Sequence, residues 1–403
     1  MNENFSPKTE DHPIISSGAL TSPAPSGLYI HVPFCRAKCP YCDFYSVTDH
    51  GLIPAYIAAL LAELKMHRHR VPRADTIYFG GGTPSVLTPL QIAQILEGIH
   101  TCFSITPDAE TTLEVNPGTV NQAALAAYRA AGVNRLNIGL QSIDDQTLTF
   151  LGRIHTAKKG VDTYRWARAT GFDNIGLDLI YGLPGQNRSS WEAEMAGVVH
   201  LAPDHLSCYS LTMEPGTPMA EKVRNGQISP LDEQTAGDLF SATAAYLNRN
   251  GYRQYEISNF ARHTAGDTTD RRSRHNRKYW TFAPYLGFGP AAHSFLDNTR
   301  WWNHRSLGDY LADLKAGKRP VVETETLTRE QQIMEFVYLG LRQTDGIDTV
   351  DFASRFKADF SNHFEPAVSH LVREGLVAQL SGRIRLSVRG MRFLEHVVDR
   401  LLG

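Results

Sequence analysis

Between residues 27 and 211, strand-like and helix-like segments alternate six times, and that alternation admits few folds. Residues 27–34 read as a strand ended by Pro33, and 75–79, 111–116, 135–140, 174–180 and 205–210 read as five more. Helical spacing covers 53–69, with Ile57, Leu60, Leu61 and Leu64 on one face. It returns over 89–99, 121–131, 144–151, 158–170 and 189–200. Repeated βα units of this kind build a parallel sheet. A full eightfold barrel takes about 250 residues, more than this stretch offers. The expected architecture is α/β, a partial, open (β/α)6 barrel.

In parallel β/α barrels the chemistry sits where strands end and βα loops begin. Cys35-Arg36-Ala37-Lys38-Cys39-Pro40-Tyr41-Cys42 follows the first strand, and Asp43-Phe44-Tyr45-Ser46 completes that loop. Three thiolates at this spacing can converge on one soft-metal centre. An iron–sulfur cluster normally takes four cysteines, so three leave one iron open for a ligand. A structural zinc site favours two C-x2-C halves, and a second half is missing. Disulfides need an oxidising compartment.

The other polar residues at strand ends gather at the same place. Gly80-Gly81-Gly82-Thr83-Pro84 follows the second strand and lets backbone approach a ligand, although alone it reads equally as a tight turn. A phosphate cradle would need a following Gly-Lys-Ser/Thr. Glu114 and Asn116 end the third strand, Gln141 the fourth, and Asp178 lies near the end of the fifth. Glu114 suits a ribose hydroxyl or an ammonium, or else a structural ion pair.

Composition is that of an ordinary globular chain: 403 residues, 42% hydrophobic, 20% charged, net charge −2. Nothing global draws it to nucleic acid or membrane. Five cysteines, three in one loop, fit a reducing cytosol, so a cytoplasmic location is expected; Cys102 and Cys208 read as buried bystanders. Residues 1–26 are rich in Pro, Ser and Thr without an apolar run and read as a disordered leader. The uncharged stretch 279–296 is broken by Pro284, Gly287, Gly289 and Pro290 and is not expected to span a membrane.

Together, the cysteine loop and the strand-end motifs resemble the radical S-adenosylmethionine (SAM) superfamily. That resemblance implies a 4Fe-4S cluster on Cys35, Cys39 and Cys42, whose open iron chelates the amino and carboxylate groups of SAM. Cleavage of SAM there would release a 5′-deoxyadenosyl radical and would need an electron donor such as flavodoxin. The resemblance also places Gly81, Gly82, Thr83 and Glu114 around SAM, with Tyr29 and Tyr41 flanking the cluster. Gly139-Leu140-Gln141-Ser142, Leu151-Gly152-Arg153 and the run Asp178 to Gly185 are similar to one subgroup, the oxygen-independent coproporphyrinogen III dehydrogenase and its relatives. There, the counterparts of Gln141, Arg153 and Asp178, with Gly82 and Thr83, hold a second SAM. The resemblance runs from about Gly27 to the C-terminus.

Two departures point within that subgroup. The dehydrogenase has a further cysteine two residues after the third, where this chain has Phe44, and a longer arm before the first strand. Both departures match the paralogous HemW-like heme-chaperone family. A third feature agrees: His275-Asn276-Arg277-Lys278-Tyr279-Trp280 matches that family's His-Asn-x-x-Tyr-Trp motif, associated with heme. Imidazole is a usual axial ligand of heme iron. Tyr279 and Trp280 offer flat apolar surface, and Arg271, Arg272, Arg274, Arg277 and Lys278 suit propionates, although 266–278 also reads as a solvated basic loop or a nucleic-acid patch. His293 reads as a further candidate near the SAM site or as a core histidine; His31 and His205 read as core.

From Thr328 the pattern changes: helices at 331–341, 348–356 and 363–374, a hairpin at 376–387, and a helix at 390–402 suggest a winged-helix-like α+β module. Its third helix is not strongly basic, so protein packing is expected rather than nucleic acid. The expected units are a leader (1–26), the radical SAM core (27–211), an extension with the heme-contact loop (212–327) and the C-terminal module (328–403). The expected function is a heme-binding chaperone on a radical SAM scaffold. It would bind the cluster and SAM and deliver heme to an acceptor protein, such as a membrane-bound respiratory one. The alternative is oxidative decarboxylation of coproporphyrinogen III; a nucleic-acid-modifying enzyme fits the charge least.

Overall fold

The computed structural model describes residues 24–403. The leader expected at 1–26 therefore lies, through residue 23, outside the described residues. Its last residue, Ser26, is buried and opens the first strand.

β1 (Ser26–Val32) ends at Pro33, which lacks the N–H that would continue the ladder. α1 (Ile53–Met66), β2 (Ala74–Gly81), α2 (Pro89–Cys102), β3 (Ile105–Val115), α3 (Gln122–Ala130) and β4 (Arg135–Gln141) follow. Then come α4 (Asp145–Phe150), α5 (Ala157–Ala169), β5 (Ile175–Tyr181), α6 (Arg188–His200) and β6 (His205–Ser210). Each neighbouring pair from β1 to β6 is parallel, so all six strands point their C-terminal ends the same way. Side-chain caps start the helices on cue. Thr88 and Gln91 form a capping box before α2, with Pro89 in the first turn, and Asn187 and Ser190 do the same before α6.

The sheet extends beyond both edges of this core. After α7 (Pro218–Arg224) and α8 (Glu233–Arg249) come β7 (Tyr252–Gln254) and β8 (Asn259–Arg262); β8 adds antiparallel to β6, and β7 antiparallel to β8 at the edge. α9 (Arg274–Trp280) packs on β1 and β2. β9 (Tyr285–Phe288) then joins the free edge of β1 in parallel, and β10 (His293–Leu296) and β11 (Thr299–Asn303) continue antiparallel. α10 (Leu307–Lys315) precedes β12 (Val321–Thr326), the last strand of a twelve-stranded sheet. The segment 279–296 is thus the end of a helix and two strands, and no helix among the described residues is long and apolar enough to cross a membrane.

The C-terminal part comprises α11 (Arg329–Leu341), β13 (Ile347–Asp348), α12 (Thr349–Phe356), α13 (Phe360–Phe364), α14 (Ala367–Arg373), β14 (Val377–Leu380), β15 (Arg383–Leu386), α15 (Val388–Arg392) and α16 (Leu394–Leu402). Its three strands form a small antiparallel sheet, as in a winged helix. Two expected helices are each broken in two. The helix expected at 363–374 is split before Pro366, whose ring cannot sit inside a helix. The one at 390–402 is interrupted at Phe393, whose φ/ψ of −121°/32° lies outside the helical region. Phe352 packs against Phe336, Phe356, Phe360 and Phe364 at the centre of this unit, and Phe282 and Phe295 of the preceding segment share its apolar core.

One buried carboxyl ties the extension to the barrel. Glu63 of α1 accepts from the Gly289 amide (2.9 Å), Asn303 Nδ2 (2.6 Å) and the Tyr310 hydroxyl (2.7 Å). Burial raises this carboxyl to about 7, and the three donors only partly offset it. A raised carboxyl stabilises the fold while protonated, and that contribution is lost as pH rises through about 7. Urea unfolding of the wild type and Glu63→Gln, compared at about pH 5 and about pH 8, is expected to show the wild type losing roughly 2–3 kcal/mol relative to the variant. A pH-independent difference between the two would contradict this assignment.

Candidate functional site

The cysteine loop is closed at its base by backbone. Cys35 N donates to Val47 O (2.9 Å), Val47 N to Pro33 O (2.7 Å), and a His50 ring nitrogen meets Cys35 O at 3.1 Å. The Cys42 amide donates to Cys39 O (3.2 Å), which turns the loop back on itself. All three thiols are free. Cys35 Sγ lies 3.3 Å from Thr83 Oγ1, and Cys39 Sγ accepts from the Arg153 guanidinium at 3.6 Å. Burial, reinforced by the neighbouring thiols, pushes the Cys42 thiol up. Among the described residues no three acidic, His or Cys side chains close tightly on a single ion. Three free thiols with a guanidinium and a hydroxyl beside them suit a cluster, which holds its thiolates apart, one per iron.

Beside the loop a cavity of about 740 Å³ opens at the C-terminal ends of the parallel strands. Tyr41, Gly81, Gly82, Thr83, Glu114, Gln141, Arg153 and Asp178 all line it, with Cys42. The glycines are required by space. A Cβ on Gly82 would stand 2.8 Å from Phe34 O and 2.9 Å from Val32 O, and Gly81 has a φ of +103°. Glu114 accepts from the Tyr78 hydroxyl at 2.8 Å, and Asp178 accepts from Asn137 Nδ2 at 2.6 Å. Arg153 donates to Gly139 O (3.0 Å) and to the Tyr41 hydroxyl (3.5 Å).

Three polar atoms here are buried without a partner: Asp178 Oδ1, Gln141 Oε1 and Arg153 Nε. Unpaired buried groups are costly, and at a cavity wall they mark where a polar ligand would complete them. Burial raises Glu114 to about 7 against the Tyr78 hydrogen bond, with the Asp178 charge adding to the rise, and burial raises Asp178 as well. Two strained carboxyls in one cavity favour a cationic ligand, which would draw both into their charged forms.

Tyr29, also expected beside the cluster, lies behind Tyr78, a wall residue of the first cavity. Its ring stacks near Tyr78 and His275 and lines a second cavity of about 690 Å³, not the first. The two cavities meet at Asp43 and Phe44.

The 275–280 motif is not a solvated loop. Ser273 caps α9, and the His275 and Arg274 amides donate to the buried Glu110. His275 is 1% exposed, with Nδ1 2.9 Å from Thr76 Oγ1 and Nε2 2.9 Å from the Tyr279 hydroxyl. Burial, with the Lys278 and Arg135 charges, holds its ring neutral, down at about 3. Both ring nitrogens are therefore engaged in this arrangement. Trp280 lies under the Arg342 guanidinium at 4.5 Å, and Asn276 is half-buried in α9. Tyr279 is the one motif residue that lines the second cavity. The cations considered for propionates already have partners: Arg271 with Asp204, Arg272 and Arg277 with Asp270, Arg274 and Lys278 with Asp75.

Sequence reasoning missed Asn137, Tyr209, Ser210 and Glu214 in the first cavity. Asn137 carried a signal, since it shares a strand face with Gly139 and Gln141 at period two. Tyr285, Trp302 and Arg305 of the second cavity carried none, because only the pairing of β9 with β1 brings them there, whereas Tyr45 lies in the cysteine loop itself.

A model of the radical SAM superfamily matches residues 29–196, and one of the HemN C-terminal domain matches residues 327–393. Proteins named heme chaperone HemW from Mycobacterium tuberculosis (strain ATCC 25618 / H37Rv) and Bacillus subtilis (strain 168) are each 33% identical to this chain. The matches cover 94% and 93% of this chain and 95% and 98% of theirs. The Bos taurus mitochondrial protein named radical S-adenosyl methionine domain-containing protein 1 is 38% identical over 70% of this chain and 64% of its own. The solved structure of Escherichia coli coproporphyrinogen III oxidase (HemN) superposes with a TM-score of 0.81 at 24% identity, over 94% of this chain and 90% of that one, and shows the shared fold. The chain belongs to the radical SAM superfamily and, within it, to the family of the heme chaperone HemW.

Proposed function

We propose that the protein is a heme-binding chaperone that holds a 4Fe-4S cluster and SAM at the first cavity and passes heme to an acceptor protein. The observation that carries this reading is the position after Cys42. A fourth loop cysteine is absent, and Phe44 stands 67% exposed on the lip shared by both cavities. The relatives named heme chaperone HemW, matched along nearly their whole length, support it.

Cys35, Cys39 and Cys42 would hold the cluster, which when bound supplies an open iron for SAM and an electron. The chain's own residues do the rest. Gly81 and Gly82 let the backbone approach the ligand, and Thr83 lies beside Cys35. Glu114 and Asp178 offer carboxylates to the ammonium and sulfonium charges, Gln141 offers an amide oxygen, and Arg153 pairs with the ligand carboxylate or steadies Tyr41 against the loop. Heme would reach the protein through Tyr279 of the 275–280 motif, with His275 holding the Tyr279 hydroxyl, Trp280 fixing the C-terminal end of α9, and Asn276 within that helix. If SAM is cleaved, an electron donor such as flavodoxin is a further partner, and the acceptor fits a membrane-bound respiratory protein. No nucleic acid is required.

Anaerobic titration of heme into the reconstituted protein is expected to give a saturable Soret shift, while coproporphyrinogen III supplied anaerobically is left unchanged. Turnover of coproporphyrinogen III would overturn the chaperone reading. Arg153→Ala is expected to weaken SAM binding by roughly 10- to 100-fold, the worth of a charge-assisted hydrogen bond, and to leave heme binding intact. Affinity for cationic SAM is expected to rise with pH up to about 7, because Glu114 must first lose its proton, and to flatten above it. Calorimetry across that range with Glu114→Gln, which removes the dependence, checks the assignment.

A further inference from the structure

The second cavity holds a feature that neither the cluster nor SAM uses. It is walled by Tyr29, Tyr279, Tyr285 and Trp302, flat rings that suit an apolar planar ligand. Its volume of about 690 Å³ falls within the usual range for sites that take a single cofactor-sized molecule. Two histidines face it, and they differ. His31 is buried, with Nε2 3.1 Å from Tyr45 O and Nδ1 3.4 Å from the Tyr29 hydroxyl, so its lone pair is committed. His293 is exposed at the start of β10, and no group among the described residues hydrogen-bonds either of its ring nitrogens. Its ring lies against Trp302, centroids 5.6 Å apart and planes 25° apart, which fixes its orientation without occupying a nitrogen. At the rim, Arg305 is 64% exposed and held by Asp43 at 3.5 Å.

We infer that this cavity is the heme seat and that His293 supplies the axial bond to heme iron. The inference rests on the reading of heme as cargo and differs from it in naming the place and the ligand. Of the imidazoles near the site, His275 and His31 have both nitrogens engaged, whereas His293 presents a free lone pair. A neutral imidazole is the usual axial donor. The bond forms by donation of that lone pair to iron, with a weakly held water or solvent ligand leaving. No electron is transferred and no redox partner is needed. Arg305 stands where a propionate can replace the loosely exposed Asp43 carboxylate. The 275–280 motif then acts through its tyrosine: His275 bonds the Tyr279 hydroxyl, and the Tyr279 ring forms part of the wall.

The test is heme titration of the full chain, read by Soret absorbance and resonance Raman, for wild type, His293→Ala, His293→Met and His275→Ala, with SAM binding as the folding control. His293→Ala is expected to lose the imidazole–iron signature and weaken heme binding by roughly 10- to 100-fold, the scale on which trimming a metal's ligand environment acts. His293→Met is expected to bind heme with a displaced Soret band. His275→Ala is expected to keep the imidazole–iron signature. Wild-type affinity and spectrum in both His293 variants would overturn the inference and leave the chaperone reading standing. Loss of heme and SAM binding together in both would assign His293 a structural role and likewise overturn it. No saturable heme binding by the wild type would remove the chaperone reading itself, and the inference with it.

Discussion

β1 is hydrogen-bonded along both edges, to β2 on one side and β9 on the other, and the rest of the molecule depends on that double pairing. In a partial barrel the first strand would ordinarily be an edge, open to water or to another chain. Here β9 covers it and brings β10 to β12 alongside. The loop that leaves β1 therefore faces two neighbourhoods. One side meets the ends of β2 to β6 and the cavity with Gly82, Glu114 and Asp178; the other meets β9 to β11 and the aromatic cavity. Asp43 and Phe44 belong to both because the strand that launches them does.

The space inside the strands is filled unlike an apolar barrel core. Tyr29, Tyr78, His275, Arg135, Asn137 and Glu114 occupy positions where branched aliphatic residues would pack a closed barrel. Burying such groups costs stability unless they pair, and here they mostly do: Tyr78 with Glu114, His275 with Thr76 and Tyr279, Asn137 with Asp178. Among the exceptions, Asp178 Oδ1, Gln141 Oε1 and Arg153 Nε line the first cavity, where a ligand enters, while Arg135 Nε and Nη1 lie unpartnered away from it. The apolar helices outside the sheet, with Leu60, Leu64, Ile95 and Trp191 fully or nearly fully buried, supply the stability that such an interior lacks.

Much of this was legible in the sequence because it is local. A proline after a strand, a threonine three residues before a glutamine, and a cysteine triplet each act over a few residues, and the six strands and the first cavity follow from them. What was not legible is what depends on contacts distant in sequence. Arginines 271, 274 and lysine 278 read as free cations, yet Asp204 and Asp75, far along the chain, neutralise them. Histidine 275 read as a heme ligand or as part of a solvated loop, yet Thr76 of β2 claims one of its nitrogens. Histidine 293 read either as a candidate near the SAM site or as a core histidine, and only the return of the chain to β1 through β9 sets it in the mouth of the second cavity. Composition and periodicity cannot encode which carboxylate a cation will find, since pairing partners leave no trace in local spacing.

On the proposed reading of heme as cargo, the contrast between the three imidazoles also bears on how such a carrier would let go of what it holds. A ligand whose every neighbour is ordered and buried binds in a rigid, enclosed setting, from which a cargo leaves slowly because exit requires the packing to open. His275 sits in such a setting, gripped by Thr76 and Tyr279 beneath the cavity. His293 does not: one ring face rests on Trp302 and its nitrogens are free, on an exposed strand end beside an arginine held only by an exposed aspartate. A carrier needs a site that is preorganised by stacking but left open to exchange, because a second donor must reach the same metal before the first releases it. The buried histidine is therefore suited to hold the wall, and the exposed one to hold the cargo.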